Sequence, residues 1–276
     1  MPELPEVETT RRHLEPAMTG RTIVEADVRR DRMVRRQRRP RDFADRVRGR
    51  AVERVDRHGK FILGRLSDEV TLVIHLGMSG RVSLAIGGDA EAPHTNVVLR
   101  LDDGTEIRLV DPRTFGFVAA FLPDEMAHGS LAALGPDALD GLPRSADLAA
   151  RLAGRSAPIK PLLLDQRFVA GLGNIYADEV LHRAGIAPDR PAGSLLLEEV
   201  GRLRAAVRPV LQAGLRHGGT SLDDLAYLLP DGRAGDYLRR LRVYGREDLP
   251  CRRCGTPIRR AVLRQRSTFW CPECQA

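Results

Sequence analysis

The distribution of apolar residues changes from helical spacing to strand-like runs soon after the N-terminus. Apolar residues near the start recur at helical spacing and predict one amphipathic helix over residues 5–15 that ends at Pro16. Between residues 21 and 122 they gather in β-branched runs, KFILGRL, TLVIHLGMSGRVSLAI and NVVLRLDDGTEIRLV. The last run divides around DDG, which indicates a hairpin. The first half is therefore predicted to be mostly antiparallel sheet.

The second half has helical patterns after a stretch rich in Pro, Gly, Ala and Asp over residues 135–161, where we place a domain boundary. The segment LLLDQRFVAGLGNIYADEVLHRAGI predicts a helix, a glycine-containing turn and a second helix that begins near Asn174. A further amphipathic helix is predicted over residues 195–215. The segment 220–237 is rich in loop-forming residues.

Length and charge narrow the class of protein. At 276 residues the chain is long enough for two domains and a small appendage. Its formal charge of +7 and isoelectric point of about 9.8 favour a polyanionic partner, either nucleic acid or an acidic membrane surface. The sequence contains no apolar run of about 18 residues and begins with acidic residues, so we expect a soluble cytoplasmic protein with no membrane contact.

The basic residues are almost all arginine. Of the 44 basic residues, 42 are arginines and two are lysines, Lys60 and Lys160. Lysine is a compact charge whose pKa can be shifted, whereas arginine stays protonated, so a surviving lysine can mark a position where arginine does not serve. Chance survival is the alternative. Packing or phosphate contact are the roles open to Lys160.

The opening MPELPEVE contains two Pro-Glu pairs. Proline suits the first turn of a helix and acidic residues favour its positive end, so the pairs can be ordinary helix-start residues. The pattern alone leaves a catalytic interpretation open.

All four cysteines lie near the C-terminus, as two C-x2-C pairs separated by sixteen residues: Cys251, Cys254, Cys271 and Cys274. This spacing predicts one tetrahedral, structural Zn²⁺ site with no open coordination position. Two disulfides are the alternative, which a cytoplasmic location disfavours.

The residues between the cysteine pairs, PIRRAVLRQRSTFW, predict a two-stranded ribbon with its tip at residues 264–267. The tip would carry Arg266 within reach of phosphates. A solvated charged run is the alternative interpretation.

Six separated segments resemble one family. They are PELPEVE, HGKF around Lys60, HLGMSG at 75–80, DPRTFG at 111–116, LLDQRFVAGLGNIYADE, and the cysteine ribbon with QRSTFWC. In order and spacing they are similar to the formamidopyrimidine-DNA glycosylases, bacterial repair enzymes for oxidised purines. The resemblance covers essentially the whole chain.

The resemblance implies an α+β fold with three domains. These are an N-terminal antiparallel β-sandwich flanked by an N-terminal helix (1–134), a helix-two-turn-helix domain with a lesion loop (135–238), and a zinc ribbon (239–276). It implies a monomer that binds duplex DNA with oxidised bases or abasic sites, associated with the bacterial nucleoid.

The resemblance also implies the catalytic residues. After removal of the initiator methionine, the Pro2 nitrogen would attack C1′ of the damaged nucleotide, and the resulting Schiff base would allow β- and then δ-elimination. Glu3 would be a general acid/base, and Lys60 would lie beside the leaving base and sugar. Glu6 would orient the site or act only as a first-turn acid.

Reaching a base inside a duplex requires its extrusion, and the resemblance implies which side chains fill the gap. Met78, Arg113 and Phe115 match the family's wedge residues, and the arginine would read the orphaned cytosine. Packing at the sheet edge is the alternative for Met78 and Phe115.

Three further residues are implied to bind DNA phosphates. Asn174, at the start of its helix, and Arg266 of the ribbon would contact the backbone together. His94, in PHTNVV, is a further candidate, with an incidental strand position as its alternative.

The resemblance weakens over residues 220–237, where the family often has Gly-Tyr-Phe and this chain has Gly235, Asp236 and Tyr237. The preferred lesion is therefore open. One alternative is the sister branch similar to endonuclease VIII, which removes oxidised pyrimidines. The other is a zinc-ribbon protein that binds DNA without cleaving it.

Overall fold

The structure is a computed structural model that describes residues 2–129, 131–221 and 227–276. The chain divides into two compact units. The first contains residues 1–133 and 217–238, and the second contains residues 134–216 and 239–276.

The first unit is built from eight strands and three helices over its described residues. In chain order they are α1 (Leu4–Met18), β1 (Ile23–Val28), α2 (Pro40–Val47), β2 (Val52–His58), β3 (Phe61–Leu66), β4 (Thr71–His75), β5 (Arg81–Ile86), β6 (Thr95–Leu101), β7 (Thr105–Val110), β8 (Phe117–Phe121) and α3 (Pro123–His128), with a 3-10 turn (Asp31–Val34) after β1.

The strands form two four-stranded antiparallel sheets, in the orders β1-β6-β7-β5 and β2-β3-β4-β8. Apolar residues from both sheets share one core with α1 and α2, so the two sheets form a sandwich. The predicted hairpin around DDG is the β6–β7 connection. The long run TLVIHLGMSGRVSLAI divides into β4 and β5, which belong to different sheets.

Two helices differ from the sequence prediction. Helix α1 continues through Pro16 to Met18, because Met18 is fully buried in the sandwich core and only the hydrogen bond of the proline nitrogen is lost. Helix α2 was not predicted, since only Phe43 and Val47 are buried in an otherwise charged segment.

The second unit consists of four helices and a two-stranded ribbon. They are α4 (Ser145–Leu152), α5 (Ile159–Leu164), α6 (Asn174–Ala184), α7 (Leu197–Arg216), β9 (Arg259–Leu263) and β10 (Arg266–Trp270). Strands β9 and β10 pair antiparallel, and the ribbon has a small core of its own. The predicted α+β class, with an antiparallel sandwich, a helical region and a C-terminal ribbon, is confirmed.

The two compact units divide the chain differently from the three successive domains that the resemblance implies. Residues 217–238 pack with the sandwich, because the Thr220 N–H donates to Glu6 and the Leu84 N–H donates to the Pro230 carbonyl. The ribbon groups with the helices. Of the predicted lesion loop, residues 222–226 lie outside the described part of the chain.

Within residues 2–129, 131–221 and 227–276, every helix is too short or too polar to cross a bilayer.

Candidate active site and nucleic-acid interface

The two Pro-Glu pairs occupy different structural positions. Helix α1 begins at Leu4, so Pro2 and Glu3 precede it, whereas Pro5 and Glu6 lie in its first turn. The Glu3 N–H donates to Glu6 Oε2 at 2.8 Å, as in a capping box. Helix-start chemistry therefore accounts for the second pair. In the first pair, which is buried and precedes the helix, Glu3 is the N-cap residue of the box, and Pro2 is the residue that helix-start chemistry does not explain.

Glu6 joins the N-terminus to the segment 217–238 of the same unit. Its side chain is 1% exposed, and its Oε1 accepts the Thr220 N–H at 2.7 Å. The Tyr227 hydroxyl lies 3.3 Å from the Glu6 carbonyl oxygen. Gly219 has φ +83°, and a Cβ there would lie 2.7 Å from Glu6 Oε1, so both conformation and space require glycine. Glu6 thus fixes the backbone of Glu3 and of the 217–221 segment together.

Lys60 lies in the turn between β2 and β3 and is 8% exposed. Arg57 connects this turn to α1. Its Nε donates to Glu8 Oε2 at 3.0 Å, and its guanidinium also donates to the Gly59 carbonyl at 3.1 Å. The helix that follows Pro2 and Glu3 is therefore linked through one arginine to the turn that carries Lys60.

Glu8 is a residue that sequence reasoning missed. Its carboxylate is buried and binds Arg11, Arg12 and Arg57. Burial favours the neutral carboxyl and so raises the pKa of Glu8. Hydrogen bonds from Arg11 and Arg12 outweigh this effect and hold the pKa below its ordinary value. The spacing of Glu8 and Arg12 was the available signal, but such pairs are usually solvent-exposed.

His75 lies in an aromatic cluster next to Lys60. Its ring centroid is 4.7 Å from that of Phe61 and 5.4 Å from that of Phe117. Its Nδ1 accepts the Gly77 N–H at 3.2 Å, which requires an unprotonated Nδ1. Burial, followed by the positive charge of Lys60, lowers the pKa of His75 to about 4. The imidazole is therefore neutral at physiological pH.

The three predicted wedge residues lie on two turns that touch each other. Met78 and Phe115 are 37% and 44% exposed, and the Arg113 guanidinium carbon lies 5.7 Å from the Phe115 ring centroid. Gly77 has φ +63°, and a Cβ there would lie 2.3 Å from the Gly116 nitrogen. The turns therefore pack backbone against backbone, and glycine makes this possible.

His94 lies at a polar recess on the same unit. It adopts φ +65° and lines a cavity of about 380 Å³ together with Arg30 and Arg32. Because Asp31 and Asp111 line the same recess, the two guanidinium groups are balanced by two carboxylates, and the phosphate contact of His94 stays a prediction.

In the second unit, the structure brings Asn174 and the start of β10 together. Asn174 is the first residue of α6, and its side-chain amide donates to the Ser267 carbonyl at 2.9 Å. Arg266, which is exposed, precedes Ser267 as the first residue of β10. The ribbon turn is shorter than predicted, because Arg264 and Gln265 both have positive φ and form a two-residue hairpin turn.

Lys160 is fully buried and reaches the same strand. Its Nζ lies 2.8 Å from Asp178 Oδ1 and donates to the Ser267 carbonyl and to Thr268 Oγ1, each at 2.9 Å. The contacts support the packing role over the phosphate contact. Lysine suits this position because a single ammonium can serve three acceptors in a small space.

Two neighbouring acids of α6 hold the ribbon and the segment that leads to it. Asp178 Oδ2 accepts the Phe269 N–H at 3.0 Å. The carboxylate of Glu179 accepts three successive backbone N–H groups of residues 242–244. Sequence reasoning missed both, since acids in a helix usually face solvent.

The four cysteines form one cluster whose sulfur atoms all lie within 4.8 Å of one another. Cys254 Sγ is 3.4 Å from Cys271 Sγ and 3.5 Å from Cys274 Sγ. Tetrahedral ligands at about 2.3 Å from Zn²⁺ would lie roughly 3.8 Å apart, so the cluster fits the ion. A disulfide needs about 2.05 Å, so the alternative of two disulfides is wrong. The chain holds one structural zinc.

His182 of α6 adds an outer contact to this cluster. Its Nε2 lies 3.5 Å from Cys251 Sγ, at hydrogen-bond distance for a sulfur acceptor. Such contacts hold ligands in orientation.

Comparisons with known proteins first define the class. Consecutive parts of the chain match three family models: the formamidopyrimidine-DNA glycosylase N-terminal domain (residues 1–118), the formamidopyrimidine-DNA glycosylase H2TH domain (134–225), and the zinc finger found in FPG and IleRS (248–276). By class the chain is a DNA glycosylase.

Full-length relatives then identify the family. A formamidopyrimidine-DNA glycosylase of Cereibacter sphaeroides is 47% identical over the whole of both chains, and one of Moorella thermoacetica is 47% identical over 94% of each. The MutM (FPG) protein of Thermus thermophilus is 42% identical with a TM-score of 0.88, covering 99% of this chain and 98% of that one. A Lactococcus lactis FPG mutant, in complex with Fapy-dG containing DNA, is 30% identical over 99% of both chains with a TM-score of 0.90. The chain belongs to the formamidopyrimidine-DNA glycosylase family.

Proposed function

We propose that this chain removes oxidised purines from duplex DNA and then cleaves the abasic strand through a Schiff base on Pro2. The observation that carries the proposal is the placement of Pro2 and Glu3, buried and ahead of the first helix. The solved relatives from Lactococcus lactis include complexes with Fapy-dG DNA and with abasic-site DNA.

The nucleophile is the secondary amine that Pro2 presents once Met1 is removed. An α-amino group has a pKa near 8 and a lysine near 10.4, so about a tenth of the former and roughly 0.04% of the latter are neutral at pH 7. The nitrogen attacks C1′, the glycosidic bond breaks, and the base leaves with a proton while the nitrogen gives up its own. The C1′–O4′ bond then opens, O4′ takes a proton, and the nitrogen lone pair forms a double bond to C1′. The product is an iminium that cannot become neutral by losing a proton from nitrogen, so it accepts electrons during β- and then δ-elimination.

Three side chains surround this step. Glu3 moves protons during ring opening and elimination. Glu6 orients Glu3, because its carboxylate accepts the Glu3 N–H. Lys60 supplies positive charge near the leaving base and sugar. Because Lys60 is buried, its electrostatic interaction with them is stronger than it would be in water.

The wedge and phosphate contacts complete the proposal. Met78 and Phe115 fill the gap left by the extruded nucleotide, and Arg113 reads the orphaned cytosine. Their exposed side chains on two touching turns support this role. The phosphate contacts are His94, Asn174 and Arg266. The structural zinc holds the ribbon that carries Arg266. Because the substrate is chromosomal DNA, we place the protein at the bacterial nucleoid.

Oxidised pyrimidines are a second candidate substrate class. One of the solved complexes contains the wild-type Lactococcus lactis protein with DNA that carries an oxidised pyrimidine. The test must therefore include both classes of lesion.

In the experiment, the protein is incubated with duplexes that contain 8-oxoguanine, a formamidopyrimidine, an oxidised pyrimidine or an abasic site. Each incubation is done with and without borohydride. We expect nicking and a covalent protein–DNA adduct, with purine lesions cut fastest. Pro2→Gly should lose most of the adduct, whereas Lys60→Met should keep it on abasic DNA. Pro5→Ala, in the first turn of α1, is the matched control and should behave as wild type.

Binding without nicking or adduct on any lesion would favour the inert zinc-ribbon alternative. An adduct that persists in Pro2→Gly and disappears in Lys60→Met would show that the wrong nucleophile has been named.

A further inference from the structure

The two turns that carry the wedge residues both cross between the sheets of the sandwich. The Met78 turn (residues 76–80) connects β4 of one sheet to β5 of the other, and the Arg113 turn (residues 111–116) connects β7 to β8 in the opposite direction. Strand β4 pairs with β8, and β5 pairs with β7. The two turns therefore lie side by side at one end of the sandwich.

Asp111 lies between the two turns and is fully buried. Its Oδ2 accepts the Gly116 N–H at 2.7 Å, and its Oδ1 accepts the Arg113 N–H at 3.2 Å. Both bonds close the Arg113 turn on itself. The third bond crosses to the other turn, because the Ser79 hydroxyl donates to Asp111 Oδ1 at 2.7 Å.

Ser79 also contacts the side chain of Arg113. Arg113 Nε donates to Ser79 Oγ at 3.2 Å, while the Ser79 hydroxyl proton is directed to Asp111. The hydroxyl of the Met78 turn thus both donates to the Arg113 turn and accepts from it. Met78 is the residue immediately before Ser79, so the same contact also fixes the backbone that carries it.

We propose that Asp111, acting through Ser79, is a positioning residue that locks the Met78 and Arg113 turns into one rigid wedge and so sets the discrimination of the base opposite the lesion. The inference rests on the proposed function, since it concerns how the wedge reads DNA. The reacting nucleotide contacts Pro2, Glu3 and Lys60 instead, so Asp111 takes no direct part in bond breaking.

A carboxylate is required at this position for a chemical reason. All three of its partners are donors, and an ionised carboxylate is an acceptor at both oxygens. Asparagine has nearly the same shape but offers one acceptor and one NH₂ group. Asp111→Asn must therefore place an N–H against either the Gly116 N–H or the Ser79–Arg113 side, and one bond is lost.

The experiment compares Asp111→Asn and Ser79→Ala with wild type and with Glu106→Gln. Glu106 is the matched control because it is also a buried carboxylate of the first unit; it lies near the start of β7, whereas Asp111 follows the end of that strand, and it binds Arg100 and Arg108. Each protein is assayed for excision of 8-oxoguanine opposite each of the four bases, for borohydride trapping on an abasic site, and for thermal unfolding.

For Asp111→Asn and Ser79→Ala we expect the ratio of 8-oxoguanine excision opposite cytosine to excision opposite adenine to fall about tenfold. This is the effect of losing one buried hydrogen bond that holds Arg113 in place. Trapping on the abasic site should stay within about twofold of wild type, since Pro2 chemistry on an abasic site needs no base reading. Glu106→Gln should lower thermal stability without changing the preference. If Asp111→Asn does not fold, Ser79→Ala alone decides, because it removes only the hydroxyl that bonds Asp111 and Arg113 across the two turns.

Unchanged opposite-base preference in folded, active Ser79→Ala would overturn the inference and leave the proposed function intact. Equal losses in excision and trapping, with the preference preserved, would also overturn it by indicating a merely structural role. Failure of wild type to form the adduct would overturn the proposed function and the inference with it.

Discussion

At the scale of single residues, His75 shows how burial and neighbouring charge set a protonation state. Its ring stacks on Phe117 and is tilted against Phe61, and its Nδ1 accepts the Gly77 N–H. Burial, Lys60 and two arginines together lower its pKa from 6.5 to about 4. Protonation would place a second charge beside Lys60 and break the bond to Gly77, whose turn carries Met78.

The predicted consequence is acid sensitivity of the first unit. Between pH 4 and 6.5 the unfolded histidine binds more protons than the folded one, so the free energy of unfolding should rise as pH increases. His75→Gln keeps an acceptor for the Gly77 N–H but cannot titrate. Between pH 5 and 7.5, wild type should gain about 2 kcal/mol more stability than this variant.

Urea unfolding of both proteins at the two pH values measures this difference directly. The comparison removes the titration of other groups, which the two proteins share. Equal gains in stability for wild type and His75→Gln would contradict a neutral buried histidine.

At the scale of elements, the ribbon is attached to α5 and α6 through a buried ion pair. Lys160 of α5 and Asp178 of α6 are both fully buried, and each also binds β10. Burial raises the pKa of Asp178 to about 7 even though the Lys160 ammonium lies 2.8 Å away. The pair is therefore costly to desolvate, and each member depends on the other.

Lys160→Met should destabilise the second unit by about 3 kcal/mol, because it leaves a buried carboxylate without its partner. Lys160→Met/Asp178→Leu should recover much of that loss. Arg202→Met removes a half-exposed arginine that pairs with Glu198 and Glu199 on α7 and donates to the Ala184 carbonyl, and it should cost only about 1 kcal/mol.

The chain has a single tryptophan, Trp270 at the end of β10, so its fluorescence follows unfolding at the ribbon. The ion-pair account would be contradicted if Lys160→Met were no more destabilising than Arg202→Met.

At the scale of the whole molecule, the proposed functions divide between the two units. The first unit carries the proposed nucleophile, its acid and lysine partners, and the wedge. The second carries Asn174, Arg266 and the zinc cluster. The charge of +7 and the excess of arginine agree with phosphate contacts on both units.

Local patterns predicted most of this organisation. The strands, the α1 and α6 helices and the zinc cluster depend on apolar periodicity and on fixed cysteine spacing, which are visible in short windows of sequence. Pro2, Lys60, Met78, Arg113 and Phe115 came from segments that resemble the family, and their functional roles stay predictions.

What the sequence did not predict depends on contacts between distant residues. Glu6 binds Thr220, 214 positions away, so residues 217–238 join the sandwich instead of the helices. Asp111 and Ser79 meet because two strand crossings lie side by side, which no single motif indicates. Lys160 was noticed because the chain has only two lysines, whereas nothing in the sequence singled out its partner Asp178.

The proposed chemistry depends on the imino nitrogen of Pro2 forming the bond to the damaged sugar. The most direct measurement is mass spectrometry of the borohydride-trapped wild-type complex after digestion of protein and DNA. A sugar-derived mass should appear on the peptide that begins at Pro2, with Met1 absent. The same mass on a peptide containing Lys60, or full activity in a chain that retains Met1, would contradict the proposed chemistry.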